Sequence, residues 1–123
     1  MTPLDSTSNG EQMHLMVQFF NTGDLSALPS VVATDYVDHQ GVGQGPLLGP
    51  DGFAGVVRLS RDRHPELSVD IDELHVAGDV VVAKLNWSEP KPRGTEQHTY
   101  RRTIEVVRFA EGLAVEHWGE RLD

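Results

Sequence analysis

The stretch RRTIEVVRFAEGLAVEHWGER, residues 101–121, decides the fold. Apolar and polar residues alternate along both of its halves, which is the period of a β-strand with one buried face. Between the halves lies Ala110-Glu111-Gly112, a short connection typical of a tight hairpin. The stretch therefore predicts two long antiparallel strands, at about residues 98–109 and 113–121.

The same alternation occurs twice upstream of this hairpin. Residues 67–72 alternate apolar with polar side chains, and residues 80–87 do so from Ala83 to Trp87. The turn signal Ala77-Gly78-Asp79 lies between the two segments. The stretch 88–97 is polar and rich in turn residues, so we expect a connection there. Together these segments predict an antiparallel meander.

The N-terminal half shows helical spacing instead. Apolar residues in 13–20 recur at the helical period, Ser8 with Glu11 resembles a capping box, and residues 21–24 end the helix. A short second helix is predicted over residues 25–33. A third is predicted from a cap at Asp51 to His64-Pro65.

A short strand-like segment, residues 35–39, and a glycine-rich loop, residues 40–50, separate the second and third predicted helices. Helices followed by a meander predict an α+β fold rather than a parallel α/β sheet. With 123 residues the chain has the size of one domain. We expect a disordered N-terminal segment at residues 1–8 and a single domain over residues 9–123.

Composition excludes several classes of function. Ten basic against nineteen acidic residues give a net charge of −9, which repels nucleic acid and anionic membrane surfaces. The chain has no cysteine, which excludes disulfides, thiol catalysis and thiolate metal sites. It also has no apolar run long enough to span a membrane and no signal-peptide pattern at its start. We therefore expect a cytoplasmic protein.

Glu105 and His117 are the first candidates for chemistry. They lie on the two strands of the hairpin, where side chains can meet across the sheet. Histidine titrates near neutral pH, and a poorly solvated carboxylate can act as acid or base in the same range. A purely structural hydrogen bond between them is the alternative, and alternation alone does not say which face of the sheet is concave.

Asp38 and His39 are adjacent at the start of the glycine-rich loop, and alternation points only one of them inward. The six histidines are scattered without the local pairing usual in metal sites, so we expect no metal. The chain has neither a phosphate-binding loop motif nor a nucleophile elbow, and the glycines at 41–45 are predicted to form a pocket-rim loop.

The order of these segments resembles the SnoaL-like polyketide cyclase branch of the nuclear transport factor 2-like superfamily. The resemblance covers about residues 11–120. It depends on residues 13–24, Asp35-Tyr36-Val37-Asp38-His39, Gly49-Pro50-Asp51-Gly52-Phe53 and the closing hairpin. It implies a cone-shaped, barrel-like fold with the helices packed on a curved antiparallel sheet, an apolar pocket, no cofactor and a homodimer.

The resemblance also implies which residues line the pocket. The concave face would carry Glu105 and His117, with Asp38 nearby as a polar orienting residue. The cyclases have an aspartate two residues after the last-strand histidine, where this chain has Gly119, and a histidine at the position of Glu105. We expect the remaining pocket residues to be Phe20, Tyr36, His39, Phe53, Trp87, Thr103, Val107 and Gly119.

Three functions follow as hypotheses. The first is a cofactor-independent cyclase or related enzyme acting on a small apolar oxygenated molecule, with Glu105 as general base and His117 as acid or electrostatic partner. The second is a hydrolase that opens an epoxide or a ring with activated water, and the third is a non-catalytic binding module. The outward face, with Trp118, Arg102, Arg108 and Glu116, is either a dimer surface or a solvated face.

Overall fold

The computed structural model describes residues 6–39, 45–94 and 96–122. Within them the chain forms two α-helices, one 3-10 turn (Leu28–Ser30) and six strands. The elements are α1 (Ser6–Thr22), β1 (Val32–Asp38), β2 (Leu47–Leu48), α2 (Gly49–Arg63), β3 (Ser68–Ala77), β4 (Val80–Pro90), β5 (Gln97–Ala110) and β6 (Leu113–Arg121).

The six strands form one curved, unclosed sheet in the order β2-β1-β6-β5-β4-β3. Both helices pack against it, α1 mainly on β3 and α2 on β1, so the α+β prediction is confirmed. Four neighbouring pairs are antiparallel, but β1 and β6 are parallel, and the expectation of a purely antiparallel sheet is wrong at that pair. Parallel strands need a long crossover, which local alternation cannot reveal.

The predicted meander is present, and the connections between its strands contain left-handed residues. In the β5–β6 connection, Glu111 and Gly112 have φ angles of 53° and 80°. Positive φ at both central residues twists the connection in the same sense as the strands it joins. Gly78, with a φ of 62°, makes the corresponding turn between β3 and β4.

The N-terminal predictions need three corrections. α1 begins at Ser6, so Ser8 lies inside the helix instead of capping it, and residues 1–5 of the predicted disordered segment lie outside the described residues. The prediction of a second helix over residues 25–33 is wrong. A proline limits the segment to the 3-10 turn Leu28–Ser30, and the β-branched Val32 starts a strand. α2 begins at Gly49 with a proline in its first turn, so Asp51 is not its cap.

Two further boundaries differ. β4 continues to Pro90 and β5 starts at Gln97, so the connection is shorter than the predicted 88–97. α2 ends at Arg63, and His64 is its C-cap, in agreement with the predicted end at His64-Pro65. Residues 40–44 of the glycine-rich loop lie outside the described residues.

The outer face of β5 and β6 is partly exposed in the described part of the chain. Trp118 is 40% exposed there, while Arg108 and Glu116 pair with each other at 2.7 Å. The homodimer on this face stays a prediction. No helix in the described part of the chain combines the length and the apolar character that crossing a membrane requires.

Two exposed glycines provide a matched test of this backbone. A Cβ added to Gly78 or to Gly55 would meet no atom within 4 Å, but only Gly78 has positive φ. We expect Gly78→Ala to lower the free energy of unfolding by about 1 kcal/mol. Gly55→Ala, inside α2, should raise it by up to about 1 kcal/mol. Urea unfolding with an unchanged m-value checks both, and a shift of the same sign in the two variants would contradict the assigned turn.

Candidate active site

A cavity of about 310 Å³ lies between the two helices and the inner face of the sheet. This volume is at the lower end of the range of small-molecule pockets, roughly 300–1,000 Å³. Met13, Met16 and Val17 of α1 form one wall, with Val56 and Leu59 of α2 beside them. The middle of the cavity is therefore apolar.

Aromatic rings continue this wall toward the sheet. Phe53 of α2 packs edge-to-face against Phe20, at 5.7 Å between ring centroids, and against Tyr36, at 6.2 Å. Phe20 in turn contacts Trp87 at 5.1 Å. The indole N–H of Trp87 donates to the Thr103 hydroxyl at 2.9 Å, which fixes both side chains on the cavity wall. The rings hold one another at a defined geometry and give the cavity a rigid lining.

Three ionisable side chains meet at the buried end of the cavity. His117 Nδ1 lies 2.8 Å from Asp38 Oδ1, and His117 Nε2 lies 2.6 Å from Glu105 Oε1. The exposed fractions are 4% for Asp38, 7% for Glu105 and 9% for His117. One imidazole therefore bridges two carboxylates in a poorly solvated place.

Strand register produces this arrangement. The parallel pairing of β1 with β6 sets Asp38 beside His117, although they are far apart in sequence. In the antiparallel pair, Val107 faces His117 and Glu105 faces Gly119, so Glu105 is the diagonal neighbour of His117. A diagonal neighbour is within reach of a long side chain.

The two carboxylates determine the charge of His117. Burial by itself lowers the pKa of His117, but hydrogen bonds to Asp38 and Glu105 and their negative charges outweigh it and raise the pKa to about 9. At neutral pH the imidazole is therefore protonated and donates from both ring nitrogens. Burial, with the neighbouring Asp38 and Glu105, also raises the pKa of the Tyr36 hydroxyl.

Glu105 differs from His117 in having an oxygen left for a ligand. Its Oε1 accepts from His117, while Oε2 has no hydrogen-bond partner among the described residues and is not sealed off from the cavity. Both nitrogens of His117 are engaged. The group that can reach a ligand directly is therefore the carboxylate of Glu105, with the imidazolium as its counter-ion.

The structure brings most of the sequence-predicted site residues to this cavity. Glu105, His117 and Asp38 all line it. So do the predicted wall residues Phe20, Tyr36, Phe53, Trp87, Thr103 and Val107. The adjacent pair Asp38 and His39 divides as alternation requires, with the aspartate buried inside.

Two predicted pocket residues do not line the cavity. His39 points outward, where its Nε2 lies 2.8 Å from Glu116 and its ring stacks on Trp118 at 5.0 Å. Gly119 borders an outer depression beside His39 and Trp118 and is not among the residues that line the cavity. The physical reasons are the alternation of β1 for His39 and the absence of a side chain in Gly119.

Several lining residues were missed from the sequence. The α1 residues had a detectable signal, since their helical spacing marks an apolar face, but nothing in it distinguishes a cavity wall from core. Arg63, His64, Tyr100 and Arg101 also line the cavity. Alternation places Arg101 on the face of Glu105, but no local pattern indicates the other three. In the described part of the chain, no group of three or more His, Asp or Glu side chains is arranged to hold a metal ion.

Comparison with known proteins places this geometry in a family context. A family model described as SnoaL-like polyketide cyclase matches residues 11–121, which confirms the resemblance found in the sequence. No curated protein sequence matches the chain.

Solved structures share the fold. IdmH from Streptomyces antibioticus, described as a "putative polyketide cyclase", is 20% identical with a TM-score of 0.78, covering 93% of this chain and 91% of its own. TsrD from Streptomyces laurentii is 24% identical with a TM-score of 0.78, over 97% and 91% of the two chains. An NTF2-like protein of unknown function from Mesorhizobium loti is 23% identical with a TM-score of 0.72, over 99% and 98%.

The bridged imidazole should make the stability of the fold depend on pH. The pKa of His117 is about 9 in the folded chain, above its ordinary value of 6.5, so protonation stabilises the fold fully below pH 6.5. This contribution, on the order of 3 kcal/mol, is lost as the pH rises through about 9. Urea unfolding of the wild type should therefore show a falling free energy between pH 6.5 and 9.5.

His117→Gln is the control, because it removes the titrating group. Its free energy of unfolding should be lower at pH 6.5 and should change less over the same range. The imidazole nitrogens of His117, followed by NMR, should titrate above pH 8. A midpoint near 6.5 would contradict the bridged arrangement.

Proposed function

Because the chain belongs to the SnoaL-like polyketide cyclase family, we propose that it is a cofactor-independent enzyme that performs acid/base chemistry on a small, largely apolar, oxygenated molecule. The observation that supports this best is the Glu105 carboxylate, which faces an apolar cavity with one oxygen and a protonated imidazole with the other. Membership of the family supports this class of reaction, and the carboxylate is a group able to start it.

Glu105 is the general base in this proposal. Its Oε2 removes an acidic proton from the carbon next to a carbonyl, and the resulting enolate attacks a second carbonyl in the same molecule. A carbon–carbon bond forms, the attacked carbonyl oxygen becomes an alkoxide, and Glu105 returns the proton to it. The cycle leaves the enzyme unchanged and needs no oxidant or reductant.

His117 and Asp38 support that base without touching the substrate. The imidazolium stabilises the negative charge of Glu105, and Asp38 holds the ring through Nδ1 in the orientation that points Nε2 at Glu105. In a poorly solvated site such charges act strongly because little water screens them. His117 is therefore an electrostatic partner, and Asp38 is a positioning residue.

The glycine at position 119, where the family pattern has an aspartate, is consistent with Glu105 as the base. Cyclases of the family are expected to have their carboxylate at that position, and Glu105 lies directly across the β5–β6 pair from it. A carboxylate on the adjacent strand can thus serve the same end of the cavity. The relocation supports retained acid/base chemistry with a base on β5.

One observation favours a second candidate, a hydrolase. Two buried carboxylates bridged by one cation can divide the roles of base and acid, with Glu105 activating water and a proton returned to the opened oxygen. An epoxide such as styrene oxide, supplied in ¹⁸O-labelled water, would then give a diol carrying one labelled oxygen. The binding module has less support, since Glu105 and His117 are buried and bond to side chains.

A carbon-acid assay tests the cyclase proposal. In D₂O the wild-type protein should catalyse exchange of the α-protons of a benzo-fused cyclic ketone, with 2-tetralone and 1-indanone as probes followed by ¹H NMR. Glu105→Gln should slow enzyme-dependent exchange by about 100-fold or more, because the amide cannot accept the proton. The measured quantity is the exchange rate above the buffer background.

Glu116→Gln is the matched control, because Glu116 lies on the outer face and pairs with Arg108 and His39. This variant should catalyse exchange of the ketone α-protons at the wild-type rate. Thermal unfolding of both variants shows whether they are folded. Equal exchange by wild type and Glu105→Gln, or no exchange by the wild type with either probe, would refute the proposal.

A further inference from the structure

The cavity has two chemically different ends. Asp38, Glu105 and His117 lie at the buried end and, with the imidazole protonated, sum to one negative charge. The opposite part of the lining includes Arg63 and Arg101, which are exposed and so mark the opening. A ligand that fills the cavity therefore meets an acidic interior and a basic entrance.

An irregularity in the sheet adds an aromatic residue to this entrance. Trp87 of β4 pairs with Arg101 of β5, but the next pair is Ser88 with Thr99, so Tyr100 is an extra residue in β5. Such a bulge re-aims side chains that strict alternation would turn outward. As a result the consecutive residues Tyr100 and Arg101 both line the cavity.

The bulge also forms a flat aromatic wall. The ring of Tyr100 stacks on His64, the residue that ends α2, at 4.0 Å between centroids and 16° between planes. His64 Nδ1 lies 2.8 Å from a Glu89 oxygen. Glu89, an acidic residue of this region, is therefore paired with His64 and with neither arginine.

Arg63 and Arg101 differ from several other arginines of the chain. Arg102 and Arg108 pair with carboxylates on the outer face, and Arg61 donates to two backbone carbonyls. Arg63 and Arg101 make no ion pair or hydrogen bond with any described residue. In a chain with a net charge of −9, two unpaired guanidinium groups at one cavity entrance are available for an anion.

We propose that the entrance binds a carboxylate of the ligand, so that the substrate is an oxygenated carboxylic acid. Its rings would occupy the apolar middle, and its acidic C–H would face Glu105. Guanidinium groups match carboxylates in shape and charge, while the negative interior repels a carboxylate and so sets the orientation. This inference rests on the proposed function for the direction of the substrate, and its test measures binding alone.

Binding of two matched probes tests it. Each probe, 2-naphthoic acid and its neutral amide 2-naphthamide, is titrated into the wild-type protein at pH 7.5 and followed by ¹H–¹⁵N NMR. The acid should bind about tenfold or more tightly, and amide signals of residues 63 and 101 should shift. Arg63→Gln and Arg101→Gln should each lower the affinity for 2-naphthoic acid by about fivefold and leave the affinity for 2-naphthamide unchanged.

Two arginines provide controls. Arg58 is exposed on the same helix as Arg63 but does not line the cavity, and Arg102 neighbours Arg101 with its side chain on the outer face. Arg58→Gln and Arg102→Gln should keep the wild-type preference. Salt should weaken binding of the acid and not that of the amide.

The outcomes separate this inference from the proposed function. Equal affinities for acid and amide, no binding of the acid up to millimolar concentration, or equal effects in the control variants would overturn it. A preference for the acid that depends on Arg63 and Arg101 supports the carboxylate site even if Glu105→Gln catalyses ketone proton exchange at the wild-type rate. That second result would refute only the catalytic proposal.

Discussion

The buried imidazole between two carboxylates is the interaction on which the rest of the site depends. Removing either carboxylate would leave charge in a poorly solvated place without its partner, which costs several kcal/mol in typical proteins. The arrangement requires β1, β5 and β6 to keep their register, because each strand supplies one member. It therefore ties the pairing of the central strands to the chemistry of the cavity.

Seen along its length, the cavity changes character in three steps. Its interior is acidic, with Glu105 held beside a protonated histidine. The middle is formed by methionine, valine and aromatic side chains that contact one another. The entrance is basic, formed by α2 and the bulge in β5. A molecule with an acidic C–H at one end and a carboxylate at the other matches this sequence of environments.

The sequence predicted those contacts of the site that join residues close together along the chain, and it missed those that join distant residues. Glu105 and His117 were paired correctly as neighbours because a hairpin is local and its register follows from a short turn. Asp38 was a candidate, but its contact with His117 depends on a parallel pairing across most of the chain. His39 was misplaced because adjacency in sequence does not decide which face a side chain occupies.

By itself the sequence determined the α+β class, the meander and the candidate acid/base pair, since these follow from periodicity and turn chemistry over short distances. It also determined the family, through the order of several short segments. Only the tertiary structure decided that His117 bridges two carboxylates, that Gly119 does not line the cavity, and that Tyr100 does. These features arise from a crossover, a bulge and the packing of two helices on a sheet, all of which depend on residues distant in sequence.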